Sequence, residues 1–111
     1  MECFVSPSAK EGPPAILMAL SDTVATSGRS LSLQCHIKGS PAPMILWRKD
    51  GKMIGNTKDF KQTYQNNIAL LNIQEVMEQD GGCYECVARN SFGAVSSSCS
   101  ISVQTGEVLY I

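Results

Sequence analysis

The chain has 111 residues, enough for one two-layer hydrophobic core. Lys and Arg total 9 and Asp and Glu total 10, a formal net charge of −1, so no general attraction to nucleic acid or to an anionic membrane is expected. The longest apolar run, Ala15 to Leu20, is far short of the ~20 residues that a bilayer-crossing helix needs, and Met1 to Pro14 carries Glu2 and Glu11 in place of a basic leader, so no targeting segment is expected.

Residues 1–13 are rich in Ser and Pro with little periodicity, and are expected to form a flexible N-terminal linker that carries Cys3. Ala15 to Leu20 follows Pro13-Pro14 and predicts an edge strand, whose start tolerates proline. After a break at Ser21-Asp22, Asp22 to Ala25 is expected to continue along that edge. Thr26-Ser27-Gly28 predicts a turn. Arg29 to Ile37 alternates: Leu31, Leu33, Cys35 and Ile37 share one face, and Ser30, Ser32, Gln34 and His36 the other. That is the pattern of a half-buried antiparallel strand. Gly39 to Pro43 predicts a loop, because Pro41 and Pro43 remove ladder donors.

Met44 to Lys49 predicts a strand with Ile45 and Trp47 inward. Asp50-Gly51 is a two-residue hairpin signal, and Lys52 to Ile54 predicts the short return strand. Gly55-Asn56-Thr57 breaks it. Phe60 to Tyr64 predicts a weakly patterned strand, Gln65-Asn66-Asn67 a turn, and Ile68 to Ile73 a strand with Leu71 and Ile73 inward. Gln74 to Gly82 is expected to cross between layers, with Val76 plugging the base of the core. Cys83 to Arg89 predicts a strand with Tyr84 and Cys86 on one face. Asn90 to Gly93 predicts a hairpin turn, and Ala94 to Val103 a last strand with Cys99, Ile101 and Val103 inward. Residues 105–111 are expected to leave the domain as a C-terminal linker. About eight or nine short strands with no helical period exclude the alternating helices and strands of a nucleotide-binding fold.

The charges are unevenly distributed. Lys38, Arg48, Lys49, Lys52, Lys58 and Lys61 face only Asp50 and Asp59 over the same stretch, whereas from Gln62 onward Arg89 stands against Glu75, Glu78, Asp80, Glu85 and Glu107. The ordinary reading is solvated strand faces; the sharper one is a basic patch for an acidic partner such as a filament surface.

Catalysis and metal binding are not expected. His36 is the only histidine, it falls on an outward position, and no motif sets an acid beside it. Glycine-rich phosphate loops and zinc-protease helices are missing. Cys83 and Cys86 form a C-x-x-C, but strand positions three apart face opposite sides, so Cys83 is expected outward and Cys86 inward. No cofactor and no metal site are expected.

A longer pattern runs through the chain. Trp47, the only tryptophan, lies between Cys35 and Cys86, and Tyr84 stands two residues before Cys86. The run Leu71-x-Ile73-x-x-Val76-x-x-x-Asp80-x-Gly82-x-Tyr84-x-Cys86-x-Ala88-x-Asn90-x-x-Gly93 resembles the intermediate (I-set) immunoglobulin domain. Gly28-x-Ser30-Leu31-x-Leu33-x-Cys35 and Gly39-x-Pro41-x-Pro43-x-x-x-Trp47 extend the resemblance over nearly all of the chain between its expected linkers.

The resemblance implies an all-β, immunoglobulin-like antiparallel β-sandwich with Greek-key connections, covering 14–104. It implies that Cys35 and Cys86 face each other across the layers beside Trp47, with Leu71 in the same core. A bond between the two cysteines would contribute roughly 4 kcal/mol by loop closure. The reduced pair is the expected form: the five cysteines are an odd number and no Asn-x-Ser/Thr sequon is present. Tyr84 is expected to form a tyrosine corner with backbone near Glu78 to Asp80, and Asp80 to fix that corner or to pair with Lys58 or Lys61.

I-set domains occur in intracellular muscle and cytoskeletal proteins, including kinases, and in extracellular adhesion molecules and receptors. The favoured expectation is a non-catalytic interaction or spacing module of a larger cytoplasmic muscle or cytoskeletal protein. Its partner would be a filament or cytoskeletal protein, or the neighbouring domains of a tandem array. The alternatives are a targeting or regulatory domain of a larger kinase, and an extracellular adhesion or receptor domain. Candidate contact surfaces are the edges at Ala15 to Ala25 and Lys52 to Ile54, and the loops Lys38 to Pro43 and Asn90 to Gly93.

Overall fold

Period-two alternation decides which side chains meet inside, and turn chemistry decides where each strand reverses. The computed structural model describes residues 11–106. Its strands are β1 (Gly12–Met18), β2 (Thr23–Thr26), β3 (Leu31–Ser40), β4 (Met44–Lys49), β5 (Lys52–Ile54), β6 (Phe60–Gln65), β7 (Ile68–Ile73), β8 (Gly82–Asn90) and β9 (Gly93–Gln104). They form two sheets, ordered β1-β3-β7-β6 and β2-β9-β8-β4-β5. The inward residues of both fill one core: Leu33, Cys35 and Ile37 from β3, Ala69, Leu71 and Ile73 from β7, Trp47 from β4, Tyr84, Cys86 and Ala88 from β8, and Cys99 and Ile101 from β9. Val76 is completely buried in the crossing segment.

Two tight turns set the register. Asp50 and Gly51 have φ of 51° and 84°, and Asn66 and Asn67 have 54° and 64°, so both hairpins reverse through consecutive left-handed residues. Asp, Asn and Gly tolerate that conformation better than other residues. The registers that follow place Trp47 opposite Ile54 and Gln62 opposite Leu71.

The structure departs from the sequence expectation at the N-terminal edge. The first strand begins at Gly12 rather than Ala15, takes in Pro13 and Pro14, and ends at Met18. Proline is compatible with this position because β1 is an edge. Thr23 to Thr26 does not continue along β1. It joins the other sheet, parallel to β9, with Thr23 opposite Ile101. The chain switches sheets at Ala19 to Asp22, where Leu20 turns into the core. The switch is tied on both sides: the Leu20 amide donates to Ser97 Oγ at 2.9 Å, and Asp22 Oδ1 accepts from the Ser100 amide at 2.8 Å. The Gly39 to Pro43 loop is also shorter than expected, because Ser40 pairs with Gly12 and extends β3. Cys3, most of the 1–13 linker, and residues 107–111 lie outside the described residues.

The edge strand β6 is partly covered by its own preceding loop. Asn56 Oδ1 accepts from the Gln62 amide at 2.7 Å, and Thr57 Oγ1 accepts from the Phe60 amide at 3.1 Å. The Thr57 amide donates to the Phe60 carbonyl at 2.8 Å.

Burial separates two leucines cleanly. Leu71→Ala, at a position with 0% exposure, is expected to cost about 2–5 kcal/mol. Leu17→Ala, at 57% exposure, should stay within about 0.5 kcal/mol. Urea unfolding of both variants, with the slope checked for constancy, measures the difference.

Candidate functional site

The centre of the molecule is built from β3, β4 and β8. Cys35 and Cys86 are fully buried and Trp47 nearly so. The two thiols are free and lie in hydrogen-bond contact. That contact pulls Cys35 below the ordinary thiol range, helped by the Ser97 hydroxyl and opposed by burial. The same contact, with burial, drives Cys86 far above it, since one thiol must keep its proton to donate to the other. Cys99 lies in the same core and burial pushes its thiol up to about 11. Cys83, three residues from Cys86, is exposed on the opposite face of β8. The C-x-x-C therefore does not converge, and no group of three or more potential metal ligands forms among the described residues.

Tyr84 is completely buried, and its hydroxyl donates to the Asp80 carbonyl at 2.6 Å. Burial raises the Tyr84 hydroxyl well above the usual phenol range. The Asp80 carboxylate accepts from the Met77 amide at 2.7 Å and closes the turn beneath the tyrosine.

Asp50 has a second role that sequence reading missed. Beyond forming the hairpin turn, its Oδ1 accepts from the Cys83 amide at 2.9 Å, while its own amide donates to the Cys83 carbonyl at 2.8 Å. Lys49 Nζ lies 3.2 Å from Oδ2. The backbone bond and the lysine hold the Asp50 carboxyl below its usual range. Gly82 makes room for this clamp: a Cβ there would meet the Asp50 carboxylate oxygens at 2.7 and 2.8 Å, at a φ of 151°. The sequence reading ends the crossing segment at Gly82 and starts the strand at Cys83; the fold begins β8 at Gly82 and places it beside Asp50.

The basic residues do not form one surface. Arg48 pairs with Glu85 across β4 and β8 at 3.6 Å, and Lys49 is engaged by Asp50. Lys61 lies opposite Asn72, which lies opposite Ser32. Lys38 is at the other end of β3, about 20 Å along the strand from Ser32 at 3.4 Å per residue. Lys52, Lys58 and Lys61 are exposed along β5, the following loop and β6. His36 is on the outer face, its Nε2 3.4 Å from Gln34 Oε1.

Comparison with known proteins gives a consistent fold and a divided context. A family profile described as Immunoglobulin I-set domain matches residues 14–103. Smooth-muscle myosin light chain kinase of Gallus gallus is 32% identical over 98 residues, covering 88% of this chain and 5% of that protein. Neuronal cell adhesion molecule of Mus musculus is 36% identical over 106 residues, covering 93% of this chain and 8% of that protein. The chain thus spans only a small part of these relatives. The solved structure of titin domain M7 superposes with a TM-score of 0.80 at 33% identity, covering 82% of this chain and 93% of that one.

The clamp carries a pH signature. Because Asp50's folded pKa is depressed, its stabilisation is present above the ordinary carboxylate range and is lost as pH falls through the folded value. Wild type is expected to be more stable than Asp50→Asn near neutrality, with the gap closing on acidification. Urea midpoints across a pH series measure it; a gap that stays constant to low pH would contradict the charged clamp.

Proposed function

Because the chain belongs to the immunoglobulin I-set family, a non-catalytic sandwich module, we propose that it serves as a protein-interaction or spacing unit of a larger cytoplasmic muscle or cytoskeletal protein. The observation that carries this reading is a group of lysines that the fold does not use. Lys38, Lys52, Lys58 and Lys61 are exposed and form no ion pair among the described residues, whereas Arg48 and Lys49 are paired. Tyr84, Asp80, Asp50 and Asn90 are engaged in holding strands and turns together. Similarity to titin M7 and to a smooth-muscle kinase supports the muscle or cytoskeletal setting. The kinase relative also supports a variant of the reading, in which the domain targets or regulates a kinase elsewhere in its chain. On this reading Cys35 and Cys86 remain reduced.

The basic group around β5 and β6 is the contact surface. Lys52→Glu, Lys58→Glu and Lys61→Glu combined should lower co-sedimentation with filamentous actin, an acidic probe, several-fold at low salt and flatten its salt dependence. Unchanged co-sedimentation would remove these lysines from the function.

A second reading, an extracellular adhesion or receptor domain, is favoured by the similarity to neuronal cell adhesion molecule and by the facing positions of Cys35 and Cys86. Alkylation of the protein in its own cells before denaturation separates the two. Free Cys35 and Cys86 thiols are expected for the cytoplasmic module. A native bond between them would overturn it in favour of the adhesion reading.

A further inference from the structure

Strand alternation turns Met44, Leu46 and Arg48 of β4 away from the core that Ile45 and Trp47 enter. Opposite them on β8, in the same order, stand Arg89, Val87 and Glu85, which face outward as well. Met53 of β5 lies beside Arg48, and β9 adds Ala94, Ser96 and Ser98 on the far side of β8. The outer face of the five-stranded sheet thus carries an apolar ridge on β4 and β5 next to a trough of small residues on β9. Met44 and Met53 on the ridge are 64% and 66% exposed. Val87, between ridge and trough, stands outside the core cluster.

Charge on this face is self-complementary. Arg48 and Glu85 lie side by side at its centre, 3.6 Å apart and both part-exposed, a loose pair that can take new partners. Lys38 and Lys61 belong to the other sheet, Lys58 to the loop before β6, and Lys52 alternates to the opposite side of β5 from Met53. A two-fold axis running along the strands between β4 and β8 lays β4 of one copy over β8 of the other, and β5 over β9. Leu46 then meets Val87, Arg48 meets Glu85 and Met53 meets Ser98, each contact made twice. Sheets pack face to face in this way with their strands aligned within about 30°. At strand spacings of about 4.8 Å and a rise of about 3.4 Å per residue, the two patches together cover on the order of 1,000 Å², the lower end for a specific contact.

We infer that this face is a self-association surface: two copies of the chain pair through the outer sides of β4 and β8, around a two-fold exchange of Arg48 and Glu85. The apolar side chains of the ridge leave water at the contact, and the small residues of β9 make room for the flexible methionine of the other copy. The exchanged ion pairs fix the register more than they add affinity. The modest area makes the pair weak, with a dissociation constant near about 10⁻⁴ M. The inference goes beyond the lysine contact surface and is independent of it, since the two occupy different sides of the sandwich.

The test is sedimentation equilibrium of the purified chain from about 10⁻⁵ to about 10⁻³ M. Wild type should pass from one chain to two across this range. Arg48→Glu and Glu85→Arg, each alone, set like charges face to face and should weaken pairing at least about ten-fold. Mixed in equal amounts, the two variants should pair as the wild type does, which neither a misfolded variant nor a contact elsewhere would achieve. Met53→Lys, at an exposed position, should weaken pairing several-fold. Lys58→Gln with Lys61→Gln makes the same change of net charge as Arg48→Glu, away from this face, and should leave pairing as it is. A chain that stays single at the highest concentration would overturn the inference. So would a dimer that the Arg48 and Glu85 variants leave intact or the two lysine changes abolish, or a mixture of variants that stays single. Each of these outcomes leaves the lysine contact surface standing.

Discussion

The two sheets are held in register with each other by the meeting of Cys35, Cys86 and Trp47. Each sheet alone presents a half-apolar face that must be covered. β3 and β8 each bring a small inward residue, a cysteine, to the middle, and the indole of β4 fills the space beside them. Two thiols in contact leave a close approach between the sheets. A larger pair would push them apart, and a smaller one would leave a void beside Trp47. Everything more peripheral, from Leu71 and Ile73 on one side to Cys99 and Ile101 on the other, is placed by this spacing.

Around that centre, polar bonds fix the places where strands begin, end or change sheet. The Tyr84 hydroxyl anchors the crossing segment, the Asp50 carboxylate anchors the β4–β5 turn to β8, and Ser97 and Asp22 anchor the sheet switch. At the opposite end the Asn90 amide donates to the Gly12 and Pro41 carbonyls at 2.9 and 3.0 Å and so gathers three segments. All these bonds go to backbone groups. They determine the path of the chain, while the apolar core supplies most of the driving force.

The alternation of Leu31 to Ile37 and the Asp50-Gly51 hairpin could be read from neighbouring residues, and the Tyr84 corner from the family resemblance. What could not be read depends on partners far along the chain. Thr23 to Thr26 leaves β1 because β9 offers it a parallel partner, and the side chain that holds the switch, Ser97, is 77 residues from Leu20. Asp50 reads as a turn residue until β8 brings the Cys83 amide beside it. Lys38 and Lys61 read as members of one basic stretch, yet Lys61 lies level with the start of β3 and Lys38 near its far end.

The caps that Asn56 and Thr57 place on β6 bear on how copies of this domain tolerate one another. Short linkers hold neighbouring modules at about millimolar effective concentration. A bare edge strand in each would then template intermolecular sheet growth and misassembly. With Phe60 and Gln62 already occupied, the bare edge shrinks to the neighbourhood of Tyr64, too short to propagate a shared sheet. At this edge, crowding in a repeated array therefore carries less of the aggregation cost that an unprotected strand would bring.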